Sequence, residues 1–352
     1  MANQHDVPYT VLGSSAIRVS RICAGTMTFG NPVGAEEACR LVAHALDRGV
    51  NFFDTANAYE GYDRTFGSGG GVAEELLGRA LRDSRQQAVI CTKYANPVGL
   101  GPEDAGLSAQ HLDRELHRSL RRLRTDYIDV VLAHRWDASA QIEEVWRVFD
   151  RWVASGKVLA VGVSNWTSWR LAQACETARR NGWVPVAVSS PKYNLFAREI
   201  ESEHMPCALN YGVSLVTYQP FQGGALTGKY RRGGLPPAGS RGAEMPDWLP
   251  DLTASVFDKI ESLQNLAAEA CMSLPEYAIA WTLSRPGVAS VVVGCRTPEQ
   301  LDSAISAAAA PFPCGHQHRV DTVCPPATLP PGNQVLCWGK AGWALRQIEP
   351  GI

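Results

Sequence analysis

The chain has 352 residues, of which 45% are hydrophobic and 19% are charged, a composition typical of a globular protein that buries a sizeable core. That length suits either two average domains or a single α/β barrel. With 33 basic and 35 acidic residues the formal net charge is −2, which gives no electrostatic reason to expect nucleic acid or an acidic membrane surface as a partner.

The start of the chain and its cysteines indicate the cellular compartment in which the protein is expected. Residues 1–10 contain neither the basic nor the apolar segment of a secretory signal, and no apolar run reaches the roughly eighteen residues that a membrane-spanning helix needs. Ten cysteines are scattered along the chain. We therefore expect reduced thiols in a cytoplasmic protein with no membrane partner.

The first predicted element is a β-hairpin. Residues 9–22 read YTVLGSSAIRVSRI, in which a Gly-Ser turn separates two short stretches of β-forming residues. We expect this hairpin to plug the bottom of the fold that follows it.

Eight short apolar segments come next, each separated from the following one by polar and helical sequence. They are rich in Val and Ile and almost uninterrupted, as is typical of parallel strands buried on both faces. The segments cover residues 21–26, 51–55, 88–93, 127–134, 158–164, 185–189, 213–218 and 288–294.

Amphipathic helices are predicted between these strands, with apolar residues at helical spacing over 38–46, 73–81, 112–123 and 142–153. Ser108 stands where an N-cap is expected, and Gly49 and Gly156 follow two of the helices as C-terminal caps. Eight strand–helix units in about 290 residues favour an α/β fold, the (β/α)8 TIM barrel with an N-terminal β-hairpin plug, over a doubly wound sheet.

The predicted domain organisation is one barrel over residues 1–310 and an irregular C-terminal tail over 311–352. The tail is rich in proline and shows no helical or strand period, and its role is not evident from the sequence. The Gly- and Pro-rich stretch 231–250 is predicted to be a long loop after the seventh barrel strand. Several possible metal ligands in the tail have a spacing that fits no familiar zinc site, so no metal is expected: Cys314, His316, His318, Cys324 and Cys337.

Polar residues gather where the barrel strands end, which is the edge that carries the active site in this fold. Asp54 and Tyr59 follow the second strand, Lys93 ends the third and His134 ends the fourth. An ammonium held by Asp54 would stabilise the phenolate of Tyr59 and lower its pKa, so that Tyr59 can protonate a carbonyl oxygen that His134 orients. Because no side chain donates hydride, a cofactor has to supply it.

These residues resemble those of the aldo-keto reductase superfamily, and the resemblance covers residues 9 to about 310. The motifs that carry it include GTMTFG (25–30), NFFDTANAY (51–59), TKY (92–94), LAHRWD (132–137), VGVSNW (161–166), GGALTGKY (223–230) and GCRTPEQ (294–300). The resemblance implies NADPH-dependent reduction of an aldehyde or ketone, with Asp54, Tyr59, Lys93 and His134 as the catalytic tetrad and Tyr59 as the general acid.

The resemblance also implies a cofactor site. Ser164 and Asn165 would hold the nicotinamide carboxamide, Tyr218 would stack on the nicotinamide ring, and the 223–230 loop would close over the pyrophosphate. Arg296 and Gln300 would bind the adenosine end, and an arginine there favours the 2′-phosphate of NADP. The further positions implied for the cofactor are Thr26, Asp54, Ser190, Gln219, Leu226, Gly228, Lys229 and Gly294.

The sequence departs from the family pattern at three places. Ser190 stands where the family usually has Gln beside the carboxamide, and Ser303 stands where it usually has Asn in the helix of the ribose site. The loop EGYDRTFGSGGG (60–71) is longer and richer in glycine than the usual turn. These departures bear on cofactor affinity and loop closure more than on the chemistry.

The sequence does not identify the substrate. Aromatic residues in the loops, Phe29, Trp136 and Trp166 among them, favour a planar or apolar small-molecule carbonyl, and a nucleotide-linked keto-deoxysugar or another secondary-metabolite ketone is an alternative. Some barrels of this family resemble channel β-subunits, so an NADPH-binding regulatory subunit with little turnover is an alternative of another class. A Schiff-base lyase that uses Lys93 is a third. The oligomeric state and the physiological direction are not indicated.

Overall fold

The computed structural model describes residues 7–327, together with the backbone of 336–339 and 342–345. A closed barrel of eight parallel strands forms its centre, in the order β10-β3-β4-β5-β6-β7-β8-β9. The eight strands are β3 (Ile22–Gly25), β4 (Phe52–Asp54), β5 (Val89–Tyr94), β6 (Ile128–Ala133), β7 (Val158–Ser164), β8 (Val186–Ser190), β9 (Ser214–Tyr218) and β10 (Val288–Val293). The predicted (β/α)8 barrel is confirmed, and each predicted apolar segment contains one strand of it, apart from one-residue extensions at Tyr94 and Ser190.

The N-terminal hairpin is confirmed as well. It consists of β1 (Tyr9–Val11) and β2 (Arg18–Ser20), which pair antiparallel. Its turn lies against the beginnings of β8 and β9, since the Gly13 amide donates to Ser214 Oγ at 2.8 Å. Gly13 has φ +49°, and a Cβ there would collide with the Ala187 carbonyl, so the close approach requires glycine. Leu12 and Val19 of this hairpin are buried with the side chains that fill the barrel interior.

Helices surround the barrel and bury a second, larger apolar cluster against the outer faces of the strands. The helices before β9 are α1 (Ala35–Asp47), α2 (Val72–Ala80), α3 (Ala109–Leu123), α4 (Ile142–Ala154), α5 (Ser168–Asn181) and α6 (His204–Asn210). Those after it are α7 (Arg241–Glu244), α8 (Ala254–Glu269), α9 (Leu274–Leu283), α10 (Pro298–Ala309) and α11 (His316–Val323). The predicted N-cap at Ser108 is confirmed, because its side chain accepts a bond from the His111 amide. Within the described residues no helix combines the length and the apolar character needed to cross a membrane.

The segment between β9 and α8 is largely the predicted long loop. It contains a kinked pair of short 3-10 turns at Gln222–Thr227, the four-residue helix α7 and a further turn at Pro246–Trp248. The segment runs along the carboxyl edge of the barrel, where the polar residues of the candidate site gather.

The expectation of an irregular chain from residue 311 onward is wrong for residues 316–323, which form α11. Contacts with the rest of the protein stabilise this helix. Val320 is fully buried, and the buried Arg198 donates to Asp321 at 2.8 Å and to the Cys324 carbonyl. The sequence gives little helical period because only one side chain of α11 is buried. The remainder of the expected tail, 328–352, lies outside the described residues except for the backbone of β11 (Leu336–Gly339) and β12 (Gly342–Leu345), which pair antiparallel.

Candidate active site

The four predicted tetrad residues meet at the carboxyl edge of the barrel. Asp54 ends β4, Lys93 lies near the end of β5, His134 directly follows β6, and Tyr59 lies in the loop after β4. The register pairs Asp54 with Cys91 and Lys93 with Leu132, so three neighbouring strands present these side chains at a similar height. The barrel therefore brings together residues that lie up to 80 positions apart in the chain.

The Lys93 ammonium is the centre of the cluster. It lies 2.7 Å from Asp54 Oδ2, 2.8 Å from the Thr55 carbonyl oxygen and 3.3 Å from the Tyr59 hydroxyl. Lys93 and Asp54 are 3% and 5% exposed, so the ion pair is shielded from water. The three contacts use the three protons of the ammonium and hold it against the phenol oxygen.

The ion pair holds Lys93 as an ammonium. Burial lowers the pKa of Lys93, but Asp54 and Tyr59 raise it, and the net pKa lies above the ordinary lysine value. Burial raises the pKa of the Asp54 carboxyl above its ordinary value, and the Lys93 ammonium opposes that rise. A lysine held as an ammonium is not a free amine, which disfavours the Schiff-base alternative.

The expected lowering of the Tyr59 pKa is wrong for the site as a whole. Burial raises the pKa of the Tyr59 phenol above its ordinary value, the Lys93 ammonium lowers it, and Asp54 raises it again. The ammonium acts in the expected direction, but desolvation of the phenolate outweighs it. Tyr59 is therefore protonated at neutral pH, which is the form that a general acid requires.

His134 faces Tyr59, with the ring centroids 5.8 Å apart at an angle of 76°. Burial lowers the pKa of His134 well below its ordinary value, and Lys93, Arg135 and Arg64 lower it further. The ring is therefore neutral and carries one N–H.

Asn96 was missed by the sequence reasoning. Its Nδ2 lies 3.2 Å from His134 Nδ1, and an amide nitrogen can only donate there. Nδ1 of His134 is then the acceptor and Nε2 carries the proton, which makes Nε2 a hydrogen-bond donor. The only signal in the sequence was that Asn96 follows the TKY motif by two residues.

The residues predicted for the nicotinamide end lie at the ends of β7, β8 and β9. Ser164 Oγ donates to the Ser190 carbonyl at 2.8 Å. Asn165 has φ +60°, donates from Nδ2 to the His134 carbonyl at 3.0 Å and accepts from the Tyr218 hydroxyl at 2.5 Å. Gln219 follows Tyr218 and also has a positive φ. This network joins four strand ends beside the tetrad.

The residues predicted for the phosphate-bearing end come from the segments that follow β9 and β10. Arg296 lies near Glu244 of α7 and Tyr62 of the loop after β4, and its backbone amide donates to Gln300 Oε1 at 2.9 Å. Burial lowers the pKa of Lys229, and repulsion from Arg296 and Arg241 lowers it further. The three cations Lys229, Arg241 and Arg296 lie near enough for this repulsion, and such a group suits the phosphates of a dinucleotide.

The remaining cofactor positions have different surroundings. Thr26 is buried and donates from Oγ1 to the Asp54 carbonyl at 3.0 Å, which joins the ends of β3 and β4. Leu226 is fully buried in the outer apolar cluster. Gly228 has φ +74°, and a Cβ built on Gly294 would meet open space. Thr26 and Leu226 therefore contribute packing beside the site, whereas the space next to Gly294 is open.

Two of the three aromatic residues predicted for the substrate are buried. Phe29 is 4% and Trp166 is 5% exposed, and both pack into the outer apolar cluster. Trp166 contacts Trp136 edge to face with centroids 4.8 Å apart, and the Arg170 guanidinium lies 3.7 Å from the centroid of Trp136. Trp136 is only partly buried. Phe29 and Trp166 therefore serve packing, and Trp136 is the one of the three that keeps partial exposure.

Among the residues whose side chains are described, no three His, Cys, Asp or Glu residues are grouped as a metal site would need. Cys337, one of the possible ligands in the tail, lies outside them.

Comparisons with known proteins agree with this geometry. The family model described as "Aldo/keto reductase family" matches residues 21–323. A protein of rice named as a probable voltage-gated potassium channel subunit beta is 38% identical over 302 residues, which cover 83% of this chain and 88% of the relative. A protein of Arabidopsis thaliana with the same name is 36% identical, covering 85% and 90%. An uncharacterized oxidoreductase of Bacillus subtilis, YrpG, is 34% identical, also covering 85% and 90%.

Proposed function

The chain belongs to the aldo/keto reductase family and is an oxidoreductase of the carbonyl-reducing kind, and we propose that it uses NADPH to reduce an aldehyde or ketone to the alcohol with Tyr59 as the general acid. The observation that carries the proposal is the contact of the Tyr59 hydroxyl with the buried, Asp54-paired ammonium of Lys93. A protonated phenol beside a fixed positive charge is a group built to give up a proton and to stabilise the anion that remains.

Each of the four proposed tetrad residues has its own role in this reaction. The carbonyl oxygen of the substrate binds between the Tyr59 hydroxyl and the Nε2–H of His134, and both groups polarise it as donors. As the carbon accepts hydride, the O–H bond of Tyr59 breaks and its proton passes to the developing alkoxide. Lys93 stabilises the resulting phenolate, and Asp54 keeps the ammonium in place. His134 stays neutral throughout and orients the substrate.

NADPH, when bound, supplies the hydride. Ser164, Asn165, Ser190, Tyr218 and Gln219 would hold its nicotinamide end beside the tetrad. The pyrophosphate would lie along Gly228 and Lys229, and Arg296 with Gln300 would hold the adenosine end. The nearness of Lys229, Arg241 and Arg296 to one another supports this assignment, because three cations can meet the phosphates of the coenzyme.

The test is NADPH consumption by the purified protein over aromatic, aliphatic and sugar carbonyls, for the wild type and for Tyr59→Phe. We expect Tyr59→Phe to lower kcat about 100-fold or more, with the Kd for NADPH unchanged, because general acid catalysis is lost and coenzyme contacts are kept. Tyr127→Phe is the matched control, since that hydroxyl contacts only the exposed Gln86. Absence of NADPH binding by the wild type would refute the proposal.

A regulatory role is the second candidate, and the names of two relatives favour it. In that role the barrel binds NADPH and contacts a channel protein while turnover is slow. The same variant separates the two: a regulatory partner effect should survive Tyr59→Phe, whereas a role that depends on turnover should not.

We also propose a cytoplasmic location. All nine cysteines whose side chains are described are free thiols. Two of them, Cys39 and Cys207, are partly buried, and five are buried: Cys23, Cys91, Cys175, Cys295 and Cys324. Free thiols throughout a chain favour a reducing compartment. Fractionation of cells that express the protein would test this.

A further inference from the structure

Three loops of the barrel meet at the guanidinium of Arg296. Its Nη2 lies 2.6 Å from the Tyr62 hydroxyl in the loop after β4 and 2.8 Å from Glu244 Oε2 in α7. Its Nη1 donates to the Gly239 carbonyl at 2.7 Å. The residue that the proposed function assigns to the 2′-phosphate is thus bound to groups of the protein itself.

The pattern of these bonds affects phosphate binding directly. A guanidinium offers two forks to an oxyanion, one formed by Nη1–H and Nη2–H and the other by Nε–H and Nη2–H. Both forks need a proton of Nη2, and both of its protons already point to Tyr62 and Glu244. A phosphate can therefore bind Arg296 through two bonds only if one of these partners leaves.

Charge decides which partner competes with the phosphate. Glu244 is the one carboxylate paired with Arg296 among the described residues, and the side chains of the pair are 33% and 24% exposed. A 2′-phosphate carries about −1.5 to −2 charges at neutral pH, so it repels the Glu244 carboxylate while Lys229 and Arg241 attract it. A 2′-hydroxyl, as in NADH, is neutral and feels little of this repulsion.

The fold holds Glu244 in position. The amide of Gly242 donates to the Tyr230 hydroxyl at 3.0 Å, and Ser240, which precedes α7, is buried. A Cβ on Gly242 would crowd Leu249 and Tyr230, so α7 lies close against its surroundings. The carboxylate at the end of α7 is presented to Arg296 by a packed segment.

We propose that Glu244 is a coenzyme-selectivity residue that competes with the 2′-phosphate for Arg296 and so reduces the preference of the protein for NADPH over NADH. This inference rests on the proposed function, which assigns Arg296 to the adenosine end of the coenzyme. The Tyr62 hydroxyl stays on Nη2 as a neutral partner, and departure of Glu244 frees the second proton of Nη2 for the phosphate.

The experiment measures the Kd of NADPH and of NADH for the wild type, Glu244→Gln and Glu244→Ala by quenching of protein fluorescence. We expect the Kd of NADPH to fall about two- to fivefold in both variants, the range that loss of a partly exposed ion pair gives, while that of NADH changes less than twofold. Asp247→Asn is the matched control: it removes one negative charge from the same segment, and Asp247 has no ion-pair partner among the described residues. It should leave the ratio of the two Kd values unchanged.

A double-mutant cycle assigns the effect to the contact. In an Arg296→Ala background, Glu244→Gln should lower the Kd of NADPH by a smaller factor than in the wild type, because competition for the guanidinium is gone and only direct repulsion of the phosphate remains. Equal changes for NADPH and NADH, or weaker NADPH binding in both Glu244 variants, would overturn the inference and make Glu244 a loop contact only, with the proposed function untouched. Failure of the wild type to bind either coenzyme would instead overturn the proposed function, and the inference with it.

Discussion

Burial sets the protonation states of the two groups that would face a substrate carbonyl. Desolvation raises the pKa of Tyr59 and lowers that of His134, in each case away from neutrality and in favour of the uncharged form. Beside them lies the buried ion pair of Lys93 and Asp54, with 2.7 Å between Nζ and Oδ2. Tyr59 is then a neutral acid and His134 a neutral hydrogen-bond donor, both beside a fixed ion pair. Such a site can deliver a proton without first changing its own net charge.

These directions predict the pH dependence of carbonyl reduction. The active form has Tyr59 protonated, so activity is lost on the alkaline side only as pH rises through a pKa that burial raises above the ordinary tyrosine value. It also has His134 neutral, so activity is lost on the acid side only as pH falls through a pKa that burial and neighbouring cations hold well below the ordinary histidine value. We expect kcat/KM to be independent of pH when it is measured from about pH 6.5 to about pH 9. An ionisation of the free enzyme inside that range would contradict these assignments.

Asn96 is expected to act through His134 as a positioning residue. In Asn96→Asp a carboxylate would face His134 Nδ1 and stabilise the imidazolium, so the acid limb of kcat/KM should move to higher pH and activity at pH 6 should fall about tenfold. The measurement is the pH profile of the variant beside that of the wild type. A role in folding alone would lower activity equally at all pH values and leave the limb in place.

At the scale of elements, close packing of neighbouring helices fixes where each strand end lies. α2 and α3 approach each other at Gly78, which is fully covered, and a Cβ there would collide with the Arg122 carbonyl and with Leu123. Glu74 of α2 is fully buried and accepts hydrogen bonds from Thr92 of β5 and Ser119 of α3, at 2.6 and 2.7 Å. These contacts join two helices to the strand that carries Lys93.

Gly78→Ala is therefore expected to destabilise the protein by about 1–3 kcal/mol, because the added methyl overpacks the contact between α2 and α3. The direction is opposite to that of an exposed helical site, where Gly to Ala stabilises by about 1 kcal/mol. The urea midpoint of unfolding measures the change. Gly69→Ala is the control, since a Cβ there meets open space, and an equal or higher midpoint for Gly78→Ala would refute the packing argument.

At the scale of the whole molecule, both ends of the described chain contribute to the barrel. The hairpin closes the bottom with Leu12 and Val19, and α11 packs on the outside through Val320 and Cys324. Arg198, 4% exposed, pairs with Glu201 and with Asp321 of α11. Helix α11 therefore belongs to the structural unit of the barrel.

Removal of residues 311–352 should lower the stability by about 3 kcal/mol, because it exposes the surface that Val320 covers and leaves buried Arg198 with one carboxylate instead of two. Removal of 328–352 alone is the matched control, which keeps α11. The urea midpoints of the two truncated proteins are compared with that of the full chain. Equal midpoints for both truncations would show that α11 contributes nothing to the barrel.

The sequence by itself determined the barrel, and it predicted that the four proposed tetrad residues lie together at one edge of it. Uninterrupted Val- and Ile-rich segments mark parallel strands buried on both faces, and this signal is local, so it can be read before any contact is known. Asp54, Lys93 and His134 could be placed together because each stands at a strand end and parallel strands end at one edge.

Only the tertiary structure decided the protonation of Tyr59, the partner of His134, the burial of Phe29 and Trp166, and the formation of α11. Each depends on desolvation or on a contact between distant parts of the chain, such as Glu244 with Arg296, 52 residues apart. A local pattern shows which residue types are present at a strand end. The pKa of a side chain and the hydrogen-bond partners of a guanidinium depend on burial and on neighbouring charges. Both are set only once the barrel has closed around these residues.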